Sequence, residues 1–278
     1  MKKIIAMMLA LMMALTLVAC GGGEDKPDDG NKDDEPKKEV LVMGTSADYA
    51  PYEFMYPDES GEMVYGGIDI SVGQAIADHM GKELQIENMS FDYLLTNMQN
   101  GKCDMVLAAI EVTDDRLLVA DFSDPYYTDL PAMIVVMADA ADSAKTLNDF
   151  SGKLVAAQTA TTKEAIVTDS MPGAELVSLQ VVTDMVNQLV NGKVDAIVLD
   201  GAVAMQYVEN NDNLVIAEAS AELGEALPYC VAVAKGDPNG LLPGINAAIA
   251  DMVANNKVEQ FIADADALAD VAVEVSAE

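Results

Sequence analysis

A unit of about fifteen residues occurs twice in this 278-residue chain and limits its fold more than any other feature. The two copies are LLTNMQNGKCDMVLA at residues 94–108 and MVNQLVNGKVDAIVL at residues 185–199. Each copy predicts the end of a helix, a helix stop at Asn-Gly-Lys, and then a short apolar strand. The copies could share only a common way of ending a helix. Their separation of about 90 residues nevertheless favours two similar α/β lobes.

Short apolar runs alternate with helical patterns over most of the chain. This alternation predicts mostly parallel sheets flanked by helices, because a parallel strand needs a crossover to reach its neighbour. The predicted strands are residues 40–44, 84–87, 104–109, 132–137, 154–157, 176–179, 196–199, 215–217 and 230–234. The predicted helices are residues 69–80, 92–100, 162–169, 183–191, 202–208, 241–254 and 257–263. Ligands of such sheets lie beyond the carboxyl ends of the strands, here in the loops that follow residues 44, 107 and 199 and the loop before Thr162.

The composition excludes several functions. A formal net charge of −32 argues against a nucleic-acid partner, whose phosphates the protein would repel. His79 is the only histidine, which removes zinc sites built on histidine and histidine-based catalytic triads. We therefore expect no metal and no cofactor. Two cysteines lie beyond residue 20, Cys103 and Cys230. They could form a disulfide with each other, or both could be free thiols.

The first 20 residues indicate export. Two lysines precede an uncharged stretch at residues 4–19, which is shorter than the roughly 20 residues that a membrane-spanning helix needs. A permanent transmembrane helix is the alternative. The stretch ends in LVAC at residues 17–20, which resembles the lipobox of bacterial lipoproteins. We expect a signal peptide over residues 1–19, a lipid such as palmitate on Cys20, and a flexible polar linker over residues 20–39.

Two charged residues follow predicted strands, where a ligand is expected. Arg116 is the only arginine of the chain, and its guanidinium can bind a carboxylate through two parallel hydrogen bonds. An ordinary surface salt bridge is the alternative for this residue. Asp200 could either cap the next helix or pair with an ammonium group. Thr161 and Thr162 precede a predicted helix, where hydroxyls and backbone N–H groups can hold an anion.

Five segments of the chain resemble motifs of one protein family. The segments are GTSADYAPYEF (44–54), GGIDISVGQAIADHMG (66–81), VTDDRLLVADFSDPYY (112–127), AAQTATTKE (156–164) and GKVDAIVLD (192–200). They resemble the bacterial extracellular solute-binding proteins of family 3, the polar amino-acid receptors of ABC importers. The resemblance implies an α/β, two-lobed fold of the periplasmic-binding-protein type II, with two hinge crossings near residues 128–131 and 229–231. It assigns residues 40–129 to lobe 1, 130–230 to lobe 2, and 231–278 to the return segment and C-terminal helices of lobe 1.

The resemblance also implies roles for the candidate residues. Arg116 would bind the α-carboxylate of the ligand, with help from Thr162 and its backbone. Asp200 would bind the α-ammonium group. Tyr49 and Phe91 would lie on either side of the ligand side chain.

Four further positions adjoin the implied site. Ala109 lies where the family has Ser or Gly, whose backbone contacts the ligand. Ser46 stands where receptors for basic amino acids often place an acid. Ala160 replaces a glycine, which would reshape the carboxylate loop. Glu111 replaces a Ser or Thr that contacts the ligand ammonium group, and it could instead be a solvent-facing loop residue.

Glu111 decides which ligand charge the implied site would accept. If Glu111 faces the site, it joins Asp200 and the ligand carboxylate against Arg116 and the ligand ammonium group. The excess negative charge would then favour a cationic side chain. If Glu111 points away, the charges balance for a neutral side chain. No second arginine exists and no lysine is obviously placed, so an acidic ligand fits neither case. We expect a free neutral polar or cationic amino acid as the ligand.

The resemblance implies a binding protein rather than an enzyme, with an ABC permease in the membrane as its partner. The lipid on Cys20 would hold the protein on the extracytoplasmic face of the cell membrane, and we expect a monomer. Two other functions stay open. A few exported dehydratases share this fold, and Glu111 is the one candidate for a general acid or base. A ligand-binding sensory module is the second alternative.

Overall fold

The computed structural model describes the backbone of residues 38–276 and the side chains of residues 38–269. The predicted signal peptide, the predicted lipidation site at Cys20 and most of the predicted linker lie outside the described residues. The helices are α1 (Ile68–His79), α2 (Leu94–Gln99), α3 (Asp114–Leu117), α4 (Thr162–Ala165), α5 (Val182–Val190), α6 (Gly201–Glu209), α7 (Leu242–Ala254) and α8 (Lys257–Ser276). None of the helices in this part of the chain is both long enough and apolar enough to cross a membrane.

The strands of the same residues belong to four sheets. They are β1 (Val40–Thr45), β2 (Asp48–Tyr49), β3 (Glu53–Pro57), β4 (Met63–Gly66), β5 (Glu83–Asn88), β6 (Met105–Val106), β7 (Ala120–Phe122), β8 (Tyr127–Thr128), β9 (Met133–Met137), β10 (Leu154–Gln158), β11 (Glu175–Leu179), β12 (Ala196–Leu199), β13 (Leu214–Ile216), β14 (Pro228–Tyr229) and β15 (Ala232–Ala234).

Two five-stranded sheets within residues 38–276 have the same plan. Their strand orders are β5-β1-β6-β15-β7 and β11-β10-β12-β9-β13. In the first sheet β15 runs antiparallel to both of its neighbours, and in the second sheet β9 does so. The other four strands of each sheet point the same way. The two repeated sequence units end in β6 and β12, which are the central strands of the two sheets. This arrangement confirms the predicted two-lobed α/β fold, while the exact lobe bounds stay predictions.

The chain passes between the two sheets twice, and the two passages lie side by side. Strand β8 precedes the second sheet and β14 follows it, and the two strands pair antiparallel with Thr128 opposite Pro228. Each reversed strand, β9 or β15, is the first strand of its sheet after a passage. The two passages therefore form one short ribbon that joins the lobes.

The helices bury one face against the sheets. In α1, Ile68, Val72 and Ile76 are spaced four residues apart and have 1% or less of their surface exposed. This spacing places them on one side of the helix, where burial of each side chain contributes roughly 1.5–3 kcal/mol. In α5, Met185 and Leu189 repeat the same spacing against the second sheet, and both are fully buried.

Some elements differ from the prediction. The predicted strand at 104–109 is only the two residues of β6, since the chain turns sharply at Ala109, where φ is 44°. The predicted helix at 162–169 is α4 followed by a wider π-type turn at Ile166–Ser170. The hairpin of β2, β3 and β4 and the short strand β7 were not predicted.

Candidate functional site

Four charged side chains meet in a buried cluster where the two sheets face each other. Glu111 lies in the loop after β6 and Arg116 lies in α3, so both come from the side of the first sheet. Lys163 lies in α4 and Asp200 directly follows β12, so both come from the side of the second sheet. Each of the four residues has less than a tenth of its surface exposed. Charges this deeply buried are stable only when they are paired.

Glu111 is bonded to both lobes. Its carboxylate accepts hydrogen bonds from Lys163 Nζ at 2.7 Å and from the Thr162 hydroxyl at 2.9 Å, and it lies 3.3 Å from Arg116 Nη1. Burial would raise the pKa of Glu111, but the positive charges of Lys163 and Arg116 outweigh it, so the pKa lies below its ordinary value. The carboxylate therefore faces the cluster and is ionised at neutral pH.

Arg116 also reaches across to the other lobe. Its Nη1 donates to the Glu111 carbonyl at 2.8 Å, and its Nη2 donates to the Ala160 carbonyl at 3.1 Å. The guanidinium carbon lies 5.3 Å from the centre of the Phe91 ring, a distance at which the ring face attracts a cation. Thr113 is the N-cap residue of α3, and its hydroxyl oxygen accepts a hydrogen bond from the backbone N–H of Arg116. This cap fixes the position from which the arginine side chain extends.

Lys163 was missed from the sequence, where no lysine was placed at the site. Its Nζ lies 2.7 Å from Glu111 Oε1 and 2.5 Å from Asp200 Oδ1, and it contacts the Thr162 hydroxyl at 3.2 Å. Burial alone would lower the pKa of Lys163, but the two carboxylates raise it above its ordinary value. The ammonium group is thus a permanent cation between the two acids. The available sequence signal was its place directly after Thr162, at the start of a helix that faces the ligand region.

Asp200 stands at the N-cap position of α6 but does not cap the helix. Its Oδ2 accepts the Tyr49 hydroxyl from the other lobe at 2.6 Å, and its backbone N–H donates to the same hydroxyl at 3.1 Å. The first turn of α6 is capped instead by Asp129, whose Oδ2 accepts the Ala202 N–H at 3.2 Å. The Asp200 carboxylate is therefore directed into the cluster.

Ser46 and Thr161 adjoin the cluster but use their hydroxyls locally. The Ser46 hydroxyl donates to Asp48, and Asp48 in turn accepts the Val182 N–H of the other lobe at 2.9 Å. The Thr161 hydroxyl donates to the Gln158 carbonyl at 2.7 Å. Both residues therefore shape the walls of the site through hydrogen bonds within the protein.

Two alanines near the site adopt the left-handed backbone that favours glycine. Ala109 has φ of 44° and Ala160 has φ of 65°. The Ala109 N–H donates to the buried carboxylate of Asp69 at 2.7 Å, and the Ala160 N–H donates to Glu164 at 2.8 Å. The loop at Ala160 thus keeps the conformation of a glycine loop, at the cost of local strain.

A small cavity lies beside the charged cluster. It is narrow, with room for about one water molecule. Its lining consists of Ser46, Tyr49, Glu53, Phe91, Ala108, Ala109, Glu111, Gln158, Thr161, Lys163 and Asp200. Seven of the nine candidate ligand residues are in this lining. The other two, Arg116 and Thr162, are bonded to Glu111.

This two-lobed fold matches known proteins. The sequence profile of the bacterial extracellular solute-binding proteins, family 3, matches residues 41–264. The chain belongs to this family. It is 29% identical over 266 residues to the arginine-binding extracellular protein ArtP of Bacillus subtilis, covering 94% of this chain and 96% of that one. It is also 29% identical over 230 residues to a probable histidine-binding protein of Campylobacter jejuni, covering 82% of this chain and 86% of that one.

A solved structure shows the same fold. It is an amino acid ABC transporter substrate-binding protein of Streptococcus pneumoniae, AbpA, bound to L-arginine. The TM-score is 0.77 at 32% identity, with 84% of this chain and 96% of that chain covered. This solute-binding protein therefore shares its architecture with amino-acid receptors over nearly the whole described region.

Proposed function

We propose that this solute-binding protein captures a free α-amino acid between its lobes and delivers it to an ABC importer. One observation carries the proposal. Arg116 and Asp200 reach one buried cluster from opposite lobes, where Glu111 and Lys163 link them. An α-amino acid carries a carboxylate and an ammonium group on one carbon, so one ligand can satisfy both residues and hold the lobes together.

The carboxylate end of the ligand is assigned to Arg116. The Nη2 edge of Arg116 donates to the Ala160 carbonyl, and the Thr162 hydroxyl lies at the start of α4 beside it. A ligand carboxylate would replace the carbonyl and gain a charge-assisted pair. The side chain of the ligand would then lie by Tyr49 and Phe91, which line the same cavity.

The ammonium end of the ligand is assigned to Asp200. Tyr49 holds one oxygen of this carboxylate, and Lys163 holds the other. Because the cavity has room for about one water molecule, entry of an amino acid requires the lobes to part. Lys163 would then release Asp200 to the ligand.

The remaining roles also belong to the proposal. The lipid on Cys20 would anchor a monomer on the extracytoplasmic face of the membrane, near its permease. Binding without catalysis is favoured because the carboxylate of Glu111 is held by Lys163 and Thr162, and its lowered pKa keeps it ionised at neutral pH. A general acid or base works best with a pKa near the working pH, and a lowered pKa makes the carboxylate a weak base. Radiolabelled palmitate incorporation that Cys20→Ser abolishes would test the anchor.

The test of the function is isothermal titration calorimetry of the full chain against each of the twenty amino acids. Mass spectrometry of small molecules that copurify with the protein would complement it. We expect saturable binding of at least one amino acid with a one-to-one ratio. Absence of binding across the panel would overturn the proposed function.

A further inference from the structure

We propose that Lys163 determines the charge class of the ligand. By neutralising Glu111 from within the protein, it makes the site prefer amino acids with uncharged side chains over arginine and lysine. This inference rests on the proposed function and narrows its ligand. It differs from what the sequence suggested, because a Glu111 that faces the site without Lys163 would favour a cationic ligand.

The preference follows from the charges of the four buried residues. Arg116 and Lys163 contribute two positive charges, while Glu111 and Asp200 contribute two negative charges, so the cluster is neutral. An amino acid with an uncharged side chain is a zwitterion and keeps this balance. Arginine or lysine would bring one positive charge that the cluster does not cancel, and an uncompensated buried charge is strongly unfavourable.

Lys163 can stay on Glu111 while the ligand takes Asp200. Glu111 Oε1 accepts both Lys163 Nζ and the Thr162 hydroxyl, and these two residues are neighbours at the start of α4. The contact between Lys163 and Asp200 is the one that competes with a ligand ammonium group. Asp200 keeps its bond to Tyr49 throughout. The exchange therefore costs one ion pair and restores another of the same type.

A second acid lines the cavity in an environment that disfavours its charged form. Glu53 lines the cavity and has 1% of its surface exposed. Burial, together with the negative charge of nearby Asp69, raises its pKa well above the ordinary value. This environment opposes the negative charge that would attract a cationic side chain. Glu53→Gln therefore reports whether Glu53 takes part in binding a cation.

The experiment compares four variants with the wild type by calorimetry, using glutamine, histidine, arginine and the uncharged ligand that binds most tightly. The variants are Lys163→Gln, the double variant Lys163→Gln with Glu111→Gln, Lys153→Gln and Glu53→Gln. Lys153 is the matched control, since it pairs with Asp195 on the surface of the same lobe with 48% of its side chain exposed. Circular dichroism at the same temperature confirms that each variant is folded.

We expect the wild type to bind its best uncharged ligand about tenfold or more tightly than arginine. Lys163→Gln should shift the ratio of the two affinities toward arginine by about tenfold or more. The double variant should return the ratio to the wild-type side, because it removes one charge of each sign. Lys153→Gln should leave the ratio unchanged, and Glu53→Gln should not weaken binding of the uncharged ligand by more than a few-fold.

The outcomes separate this inference from the proposed function. If the wild type binds arginine more tightly than every uncharged amino acid, the protein is still an amino-acid receptor and the role of Lys163 is wrong. The same holds if Lys163→Gln leaves the ratio unchanged, or if the double variant keeps the shifted ratio. If Lys163→Gln does not fold, the double variant and the wild-type panel decide the question. Binding of no amino acid would overturn both.

Discussion

The carboxylate of Asp129 accepts the backbone N–H of Ala202 and thereby caps a helix whose own N-cap residue is occupied elsewhere. Asp129 lies in the first passage between the lobes, and Ala202 lies in the first turn of α6. The passage approaches the helix so closely that a Cβ atom on Gly201 would clash with Leu130 Cβ. Because Asp129, which is distant in sequence, caps α6, the carboxylate of Asp200 is available for the ligand.

Asp129→Ala should lower the free energy of unfolding by about 1–3 kcal/mol. The variant loses the bonds from Ala202 N–H and from Leu130 N–H, and it loses a weak bond from the Tyr229 hydroxyl. Asp200 would then also be free to turn back and cap α6, which should weaken ligand binding. Urea unfolding and calorimetry measure the two effects.

Tyr229→Phe is the control for this residue. It removes only the hydroxyl at 3.4 Å from Asp129 and keeps the ring, so the loss should be below about 1 kcal/mol. If Asp129→Ala is as stable as the wild type, the cap that Asp129 provides for α6 does not contribute to stability.

Arg116→Lys should weaken amino-acid binding roughly a hundredfold, which corresponds to about 3 kcal/mol. Lysine keeps the positive charge but cannot form two parallel hydrogen bonds with a carboxylate. Lys235→Ala is a control, because this surface cation pairs with Asp121 away from the site. Retained wild-type affinity in Arg116→Lys would contradict the assignment of the ligand carboxylate to Arg116.

Ala160→Gly should raise the free energy of unfolding by about 0.5–1 kcal/mol. The backbone of Ala160 has φ of 65°, a conformation that glycine adopts without strain. Ala165→Gly is a control in which the same substitution should have the opposite effect. Ala165 is an exposed residue of α4 with φ of −65°, so the variant should have a free energy of unfolding lower by about 1 kcal/mol. Thermal unfolding of the two variants should move in opposite directions. Equal destabilisation of both would show that Ala160 is not strained.

Asp69 should make stability depend on pH between about pH 4 and pH 6. Burial raises its pKa from 3.8 to about 6, although the Ala109 N–H and the Tyr126 hydroxyl both donate to it. Because the folded protein holds this proton more tightly than the unfolded chain, its contribution is full below pH 4 and is lost as pH rises through 6. The total loss is about 3 kcal/mol.

Asp69→Asn removes this titration. The difference in unfolding free energy between wild type and variant should therefore fall as pH rises from 4 to 6, and it should level off above pH 7. Urea titrations at several pH values measure the difference, in which titrating groups remote from Asp69 cancel. A constant difference over this range would show that Asp69 titrates normally.

The sequence predicted β12 well because this strand is an unbroken apolar run that ends in a polar residue. The predicted strand at residues 196–199 matches β12, and Asp200 follows it as expected. The hairpin of β2, β3 and β4 was missed because its strands carry polar and aromatic residues without regular alternation. Strand β7 has only three residues, which is too short for a periodic signal.

The sequence indicated which residues lie around the cavity but not the charge balance of the buried cluster. All nine predicted ligand residues lie in or beside one cavity, although their roles remain proposals. Lys163 could not be placed from the sequence, because the direction of a side chain at the start of α4 depends on how the two lobes meet. A lysine at a helix start is ordinarily solvated. Here two acids from different parts of the chain compensate its burial.

The pairing of Thr128 with Pro228 has a consequence for how this chain can be rearranged. The two ends of the stretch between these residues are neighbours in space, so the chain leaves and re-enters the first sheet at one point. The chain between β8 and β14 is therefore equivalent to one long loop inserted in the first lobe. Pairing of β8 with β14 brings the two ends of that loop together. A single tight turn in place of residues 129–227 would bridge the same gap. We therefore expect this junction to be the place where the first lobe accepts a different inserted domain, provided that the apolar surface it shares with the second lobe is covered.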